Sequence, residues 1–296
     1  MKKINICQLE NRALLKLSGD DSRAFLQGLI SNDVKSVNED NIIYSGMFNA
    51  QGKFFCDFFI FQPYENDPNT LYMDCNKYQF EEVIQKLNMY KLRSSVKIED
   101  ISEFFSIFFQ IDVEDSENIN KKLPDELEIH FREEPRCNEL GKRIYLSKKS
   151  TENLNKFNYN IIDYAFYEKN RINLGIPEAI TDIRVNKDFP LEFGINEMNG
   201  ISFSKGCYIG QEITARTFNR GKLKKNIYIV KSSAELPEFD TKIYYQKNIA
   251  GRMLSKFKSL GLAVLDIKIA EYCIEKGIPL LANDTKLEAR KPNWKN

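Results

Sequence analysis

A chain of 296 residues with 42% hydrophobic and 29% charged residues has the balance of an ordinary globular protein and the length for two or three domains. Its formal net charge of +1 leaves no electrostatic footprint for nucleic acid, and no apolar run approaches the length that spans a membrane. Six cysteines at positions 7, 56, 75, 137, 207 and 273 never reach Cys-x-x-Cys spacing, which excludes a disulfide framework, a zinc ribbon and a resident iron–sulfur site held by one chain; the single histidine, His130, excludes a histidine-rich metal site.

The start, Met1 to Asn5, runs straight into Gln8, Glu10 and Arg12 without an apolar leader, so a cytoplasmic location is expected. Arg12 to Leu17 reads as a strand, and Ser18-Gly19-Asp20 as a turn and cap. Phe25, Leu26, Leu29 and Ile30 have the spacing of one apolar helix face, ending at Asn32-Asp33. Turn residues Asn49-Ala50-Gln51-Gly52 between 42–48 and 53–61 predict a hairpin. Its second strand is aromatic throughout, and Asp57 is the one acid within it, so a buried partner is expected. Thr70 to Asp74 reads as a strand, followed by a helix capped by Asn76 and carrying Phe80, Val83, Ile84 and Leu87. Strands are predicted at 95–99, 103–111, 128–131 and 143–146, with an acidic polar surface loop over 112–126. His130 falls in one of these strands and reads as structural, since no local partner for catalysis accompanies it. Residues 160–174 read as a helix stopped by Gly175 and Pro177. Beyond Gly221, short β runs at 227–231, 242–245, 249–255 and 261–267 predict a small antiparallel barrel or sandwich.

One stretch stands apart. Lys205-Gly206-Cys207-Tyr208-Ile209-Gly210-Gln211-Glu212-Ile213-Thr214-Ala215-Arg216 gathers a thiol, a cation, glycines, an amide, an acid and an arginine within twelve residues. Lys205-Gly206 reads as a close backbone approach. A helix is expected from Cys207 onward, with Ile209 and Ile213 toward the core and Glu212 paired to Arg216 four residues later. That would place Cys207 at a helix N-terminus beside Lys205, and both features favour a thiolate. A buried packing cysteine is the competing reading.

The stretch resembles the signature of the YgfZ-type folate-binding proteins, relatives of the glycine-cleavage T-protein linked to iron–sulfur cluster maintenance. The likeness extends through Phe189-Pro190-Leu191-Glu192, Asn199-Gly200-Ile201-Ser202-Phe203-Ser204 and Arg220-Gly221, and more weakly through Phe25 to Val34 and Arg171 to Pro177. The resemblance implies an α+β fold, T-protein-like, with three domains around a central folate pocket: 1–48 joined to 156–221, a ferredoxin-like 49–155, and a C-terminal β-barrel over 222–296. It implies tetrahydrofolate or a derivative as cofactor. Cys207 and Lys205 would be the catalytic pair, and Gly206, Tyr208, Gly210, Gln211, Glu212, Arg216, Asn173 and Asp57 would be the folate-binding residues. No stable metal is implied, with Cys207 at most a transient cluster ligand. It further implies a bacterial, monomeric protein with iron–sulfur client or assembly proteins as partners. Asn173 departs from the T-protein pattern, which carries an acid nearby to hold the folate; an amide hydrogen-bonds but supplies no charge. Two other readings stay open, a folate-dependent aminomethyl or one-carbon transferase and a thiol-bearing protein-binding scaffold.

Overall fold

The computed structural model describes residues 4–111, 128–151, 159–219, 221 and 223–294. The expected loop over 112–126 and Arg220 of the extended motif lie outside them. The chain divides into two compact units, one drawn from Met1–Gly46, Cys56–Tyr167 and Asn199–Tyr208, the other from Met47–Phe55, Glu168–Met198 and Ile209–Asn296.

The first unit is built mainly on two mixed layers. One sheet runs in the order β3 (Ile43–Phe48), β4 (Phe54–Phe61), β5 (Leu71–Asn76), β2 (Arg12–Ser18), β6 (Lys97–Asp100), with the β3–β4 tip counted in the second unit. β4 and β5 are buried along their whole length, so they read as unbroken apolar runs instead of alternating ones. α1 (Ser22–Gln27) and α2 (Phe80–Lys91) accompany it; α2 buries Phe80, Val83 and Leu87, and Asn76 accepts from the Tyr78 backbone N–H at 2.9 Å to cap the 3-10 turn that leads into it. The other sheet runs β10 (Tyr159–Ile161), β1 (Ile4–Gln8), β7 (Phe105–Gln110), β9 (Lys142–Ser147), β8 (Ile129–Glu133), followed after β9 by the single turn α3 (Lys148–Thr151). Its core is Ile6, Phe108, Ile144 and Leu146.

Between these two sheets lies a chain of buried charges. Arg12 Nε on β2 donates to Asp74 Oδ1 at 2.6 Å, Arg143 on β9 donates to Asp74 at 2.6 Å and to Glu134 at 3.0 Å, and Arg136 donates to Glu134 at 2.8 Å. Tyr145 adds a hydroxyl to Asp74 at 2.9 Å, and the Arg143 guanidinium lies 3.5 Å from the centre of the Phe59 ring. Each carboxylate thus meets two guanidiniums, the condition under which charge survives removal from water. Asp57, the acid in the aromatic strand, accepts from the Tyr44 hydroxyl at 2.7 Å. His130 sits on β8 within a ring of Phe61, Tyr64, Tyr72 and Phe105, a packing role that agrees with the structural reading.

In the second unit the C-terminal strands close into a six-stranded barrel, in the order β11 (Lys225–Lys231), β14 (Leu260–Asp266), β13 (Asn248–Phe257), β12 (Lys242–Tyr245), β15 (Leu280–Ala282), β16 (Thr285–Arg290). Tyr228, Ile243, Met253, Leu265 and Leu287 are among the residues that fill it. α6 (Ile267–Lys276), capped by Asp266, contributes Ala270 and Cys273 to that core. α4 (Tyr164–Leu174) carries Arg171, which is fully buried and donates to Glu168, to Asp182 at 3.1 Å and to the Ile176 carbonyl at 3.1 Å. Asp182 also accepts from Ser255 of β13, so one aspartate fastens the loop after α4 to the barrel. The helix is shorter than the sequence suggests: Tyr159–Ile161 pairs as a strand with β1, and Ile162 N–H still donates to the Ile6 carbonyl.

Burial alone would raise the Glu134 carboxyl, but Arg136 and Arg143 outweigh it and hold it down to about 2, against 4.5 when free. A carboxylate with a depressed folded-state value stabilises the fold above its unfolded value and loses that contribution as pH falls through the lower one. Urea unfolding of the wild type should therefore lose stability between pH 4.5 and about 2, and Glu134→Gln should flatten that part of the curve; an unchanged acid limb in the variant would contradict the pairing.

Candidate functional site

The motif residues fall on both sides of the unit boundary, which passes between Tyr208 and Ile209. On the first side is an arm, residues 199–208. Ser31 Oγ donates to the Gly200 carbonyl at 2.6 Å, the Ser202 N–H donates to the Ser31 carbonyl at 3.0 Å, and Asn32 Nδ2 donates to the Asn199 carbonyl at 2.7 Å. Lys205 completes the attachment. Its Nζ donates to three backbone carbonyls, Gln27 at 2.8 Å, Ile30 at 2.6 Å and Asn32 at 2.8 Å, in and just after the end of α1. An ammonium has three donors and no acceptor, so this seat uses its full capacity. Burial lowers Lys205 to about 8. Its Nζ also lies 5.2 Å from the centre of the Tyr208 ring, and both side chains are buried.

Between these two buried residues, Gly206 and Cys207 are exposed. Of the six cysteines, the other five are buried, and burial pushes Cys7, Cys75 and Cys137 up to about 12. Cys207 is therefore the thiol that presents itself to solvent, and the packing reading is overturned by its exposure.

Several expected details are corrected. The helix does not begin at Cys207. α5 (Gln211–Asn219) starts four residues later, because Gly210 turns the chain at φ +84° and its carbonyl accepts the first helical bonds, from Thr214 N at 3.3 Å and Thr214 Oγ1 at 3.0 Å. Lys205 does not serve as a free cation for the thiol, since its three donors are spent on carbonyls. The close backbone approach belongs to Gly210, not Gly206. A Cβ on Gly210 would stand 2.5 Å from the Asn49 carbonyl of the hairpin tip, whereas a Cβ on Gly206 would meet nothing within 4 Å. Glu212 and Arg216 do pair, at 2.5 Å, on the exposed face of α5.

The residues expected to hold folate do not gather into one cradle within either unit. In the first, Asp57 is closed over by Tyr44 in the interior. In the second, Asn173 accepts through its carbonyl and side chain from Arg290 of β16, at 2.9 and 3.1 Å. The aromatic rings of β4 are buried, and Phe59 and Phe61 are faced by Arg143 and Arg132 instead of by open space. Gln211 is partly exposed at the first turn of α5. Beside the arm, a polar depression of about 350 Å³ is lined by Asn32, Tyr44, Glu134, Pro135 and Asn199. Among the described residues no group of three or more His, Cys, Asp or Glu is placed to hold a metal ion, and no helix is long and apolar enough to cross a membrane. Sequence reasoning missed Ser31 and Asn32, the receptors of the arm. They lie in the Phe25–Val34 stretch that showed only a helical pattern, and the signal available was two small polar residues directly after an apolar helix face.

Comparison with known proteins agrees with this architecture. Residues 224–296 match the family model of the CAF17 C-terminal beta-barrel domain. The chain superimposes on the crystal structure of glycine cleavage system aminomethyltransferase T from Bartonella henselae with a TM-score of 0.71 and 10% identity, covering 98% of this chain and 85% of that one. That likeness is one of fold, and the expected T-protein-like α+β architecture with its C-terminal barrel is what the structure has. In sequence the chain is similar to proteins named iron-sulfur cluster assembly factor IBA57, mitochondrial, or its homolog: 31% identical over 231 residues in Mycosarcoma maydis, 27% over 268 in Dictyostelium discoideum and 28% over 243 in Mus musculus. These alignments cover 75%, 79% and 78% of the chain and 56%, 65% and 67% of the respective relatives. The chain thus spans little more than half the length of the first of them. The expectation of a cytoplasmic location is corrected, since these relatives are named mitochondrial; they are eukaryotic and lend no support to a bacterial source.

Iodoacetamide applied to the native protein near neutral pH should modify Cys207 alone, with the other five cysteines reacting only after denaturation. Peptide mapping that finds Cys137 or Cys273 modified in the folded protein as fast as Cys207 would contradict the exposure pattern.

Proposed function

We propose that the protein acts in iron–sulfur cluster assembly or repair, with Cys207 as its working thiol. The observation that carries this reading is the solitary exposed cysteine on a fastened arm, in a chain whose other thiols are buried. The names of its relatives as iron–sulfur cluster assembly factors support the same reading, and the mitochondrion as its place of action.

The chemistry follows from the count. One thiolate cannot hold a cluster, which takes about four protein ligands. Cys207 therefore works on a cluster that a second protein also ligates. Its thiolate donates an electron pair to one iron and displaces a thiolate already bound there, and the departing sulfur takes up the proton that Cys207 released. No electron changes hands, so the step needs no reductant. Such a role asks for a sulfur that a partner can reach, and open space around Gly206 supplies that access. The partners are accordingly cluster-carrying client or assembly proteins.

Folate binding is a separate part of the proposal. It rests on the resemblance of the motif stretch and on a fold shared with an aminomethyltransferase, while Asp57, Asn173 and Glu212 are each engaged by a neighbouring side chain. The role given to Cys207 is therefore independent of folate. An aminomethyl transferase is the weaker alternative, because Asn173 lacks the expected charge and is held by Arg290.

In cells lacking their own related assembly factor, the wild-type chain should restore iron–sulfur enzyme activity, while Cys207→Ser should accumulate normally and fail to restore it. Full restoration by the serine variant would remove Cys207 from the mechanism. Titration calorimetry with tetrahydrofolate should show saturable heat; no heat at millimolar ligand, with folded protein, would withdraw the folate proposal and leave the thiol reading standing.

A further inference from the structure

The exposed pair Gly206-Cys207 is bounded on each side by a buried residue, and the two boundary residues touch each other. Lys205 holds one end through its three carbonyl contacts, and the Tyr208 ring lies against the same ammonium. Farther back, the bonds from Ser31 and Asn32 to Asn199, Gly200 and Ser202 hold the root of the arm. Ser31 and Asn32 are themselves fixed to β3 and the residues around it: Gly46 N–H donates to Ser31 Oγ at 2.9 Å, and Asn32 Nδ2 donates to the Tyr44 carbonyl at 2.8 Å. The sulfur thus stands on a two-residue bulge that Lys205 pins to the end of α1 and the residues just after it, which Ser31 and Asn32 tie in turn to β3.

We propose that Lys205 is a positioning residue: by seating its ammonium on the carbonyls of Gln27, Ile30 and Asn32, it clamps the arm and holds the Cys207 sulfur in one outward direction for the metal cluster of a docking protein. The inference rests on the reading of Cys207 as the working thiol and adds to it a named device that aims the sulfur. A lysine suits the seat better than an arginine. Three carbonyls converge on one nitrogen, and a compact ammonium with three rotatable donors meets them, whereas a planar guanidinium spreads its donors over a fork. The work of the clamp is to order the thiol before docking, so that the partner does not have to spend association energy on immobilising it. Gly206, with free space where a Cβ would stand, keeps the approach to the sulfur clear.

The test uses the one exposed thiol as its own reporter. A methanethiosulfonate nitroxide attached to Cys207 in the otherwise unaltered chain should give an immobilised spin-resonance spectrum. Lys205→Met keeps an apolar side chain of similar length against Tyr208 but removes all three donors. In folded Lys205→Met, checked by circular dichroism and urea midpoint, label mobility should rise severalfold, and restoration of cluster-enzyme activity in cells should fall to the level of Cys207→Ser. Ser31→Ala, which loosens the root of the arm without touching the lysine, should raise mobility in the same direction by less, and it carries the mobility test if Lys205→Met does not fold. A purely structural lysine would lower the urea midpoint and leave the label of the folded fraction as immobile as in the wild type, which would overturn the proposal. It would also be overturned by a mobile label in a Lys205→Met protein that keeps full cellular activity while Cys207→Ser has none. If Cys207→Ser itself restores activity, the functional reading fails, and the mobility result still decides whether the clamp exists.

Discussion

The site depends on one ammonium out of water. Lys205 is buried, and its charge is tolerated because three carbonyls left unpaired in and after the short helix α1 converge on it. The exchange serves both partners. The end of α1 gains donors for its free carbonyls, and the 199–208 arm gains a fixed point more than 170 residues away in sequence. Everything notable about Cys207 follows from that attachment: it lies on an ordered arm, it is exposed, and neither a cation nor a helix terminus is committed to it.

The same economy appears in the interior of the first unit. Arg12, Asp74, Arg143, Glu134 and Arg136 form a continuous chain from β2 through β5 and β9 to the turn after β8. A buried charge pair adds little net stability over a well-packed apolar pair, yet breaking one by removing a partner costs about 3–5 kcal/mol. Removing any one member of the chain would therefore strand a charge between the two sheets. The aromatic rings of β4 supply the floor for it, with Phe59 faced by Arg143, Arg136 and Arg12. In the second unit Asp182 has the corresponding task, joining Arg171, Glu178 N–H and Ser255.

Much of this was legible in the sequence wherever the signal is local. The aromatic run Phe54 to Phe61 announced a buried strand, Asn76 a cap, and the spacing of Glu212 and Arg216 an ion pair. The C-terminal β runs announce the barrel; α6, β15 and β16 are less evident, although an Asp266 cap and a Gly277 stop bracket α6. The errors share a cause, which is pairing over long sequence distance. Asn160 and Ile161 fall within the expected helix, but they pair with β1 as part of a strand. Gly206 and Gly210 are equivalent by spacing, and only the hairpin tip around Asn49 decides which of them makes the close approach. Lys205 beside Cys207 in sequence suggested an electrostatic partner, but its real partners lie around residue 30. The resemblance implies a folate-binding role for Asn173 and Asp57, but each meets a neighbour within its own unit, Arg290 and Tyr44.

The central claim is that one exposed cysteine, and no other cysteine of this chain, takes part in holding a shared cluster. The direct test is anaerobic reconstitution of the purified protein with ferrous iron, sulfide and a small thiol to complete the ligand set, followed by visible absorption spectroscopy. The account predicts sulfur-to-iron charge-transfer absorption in the wild type that is lost in Cys207→Ser. The same absorption in the serine variant would contradict it.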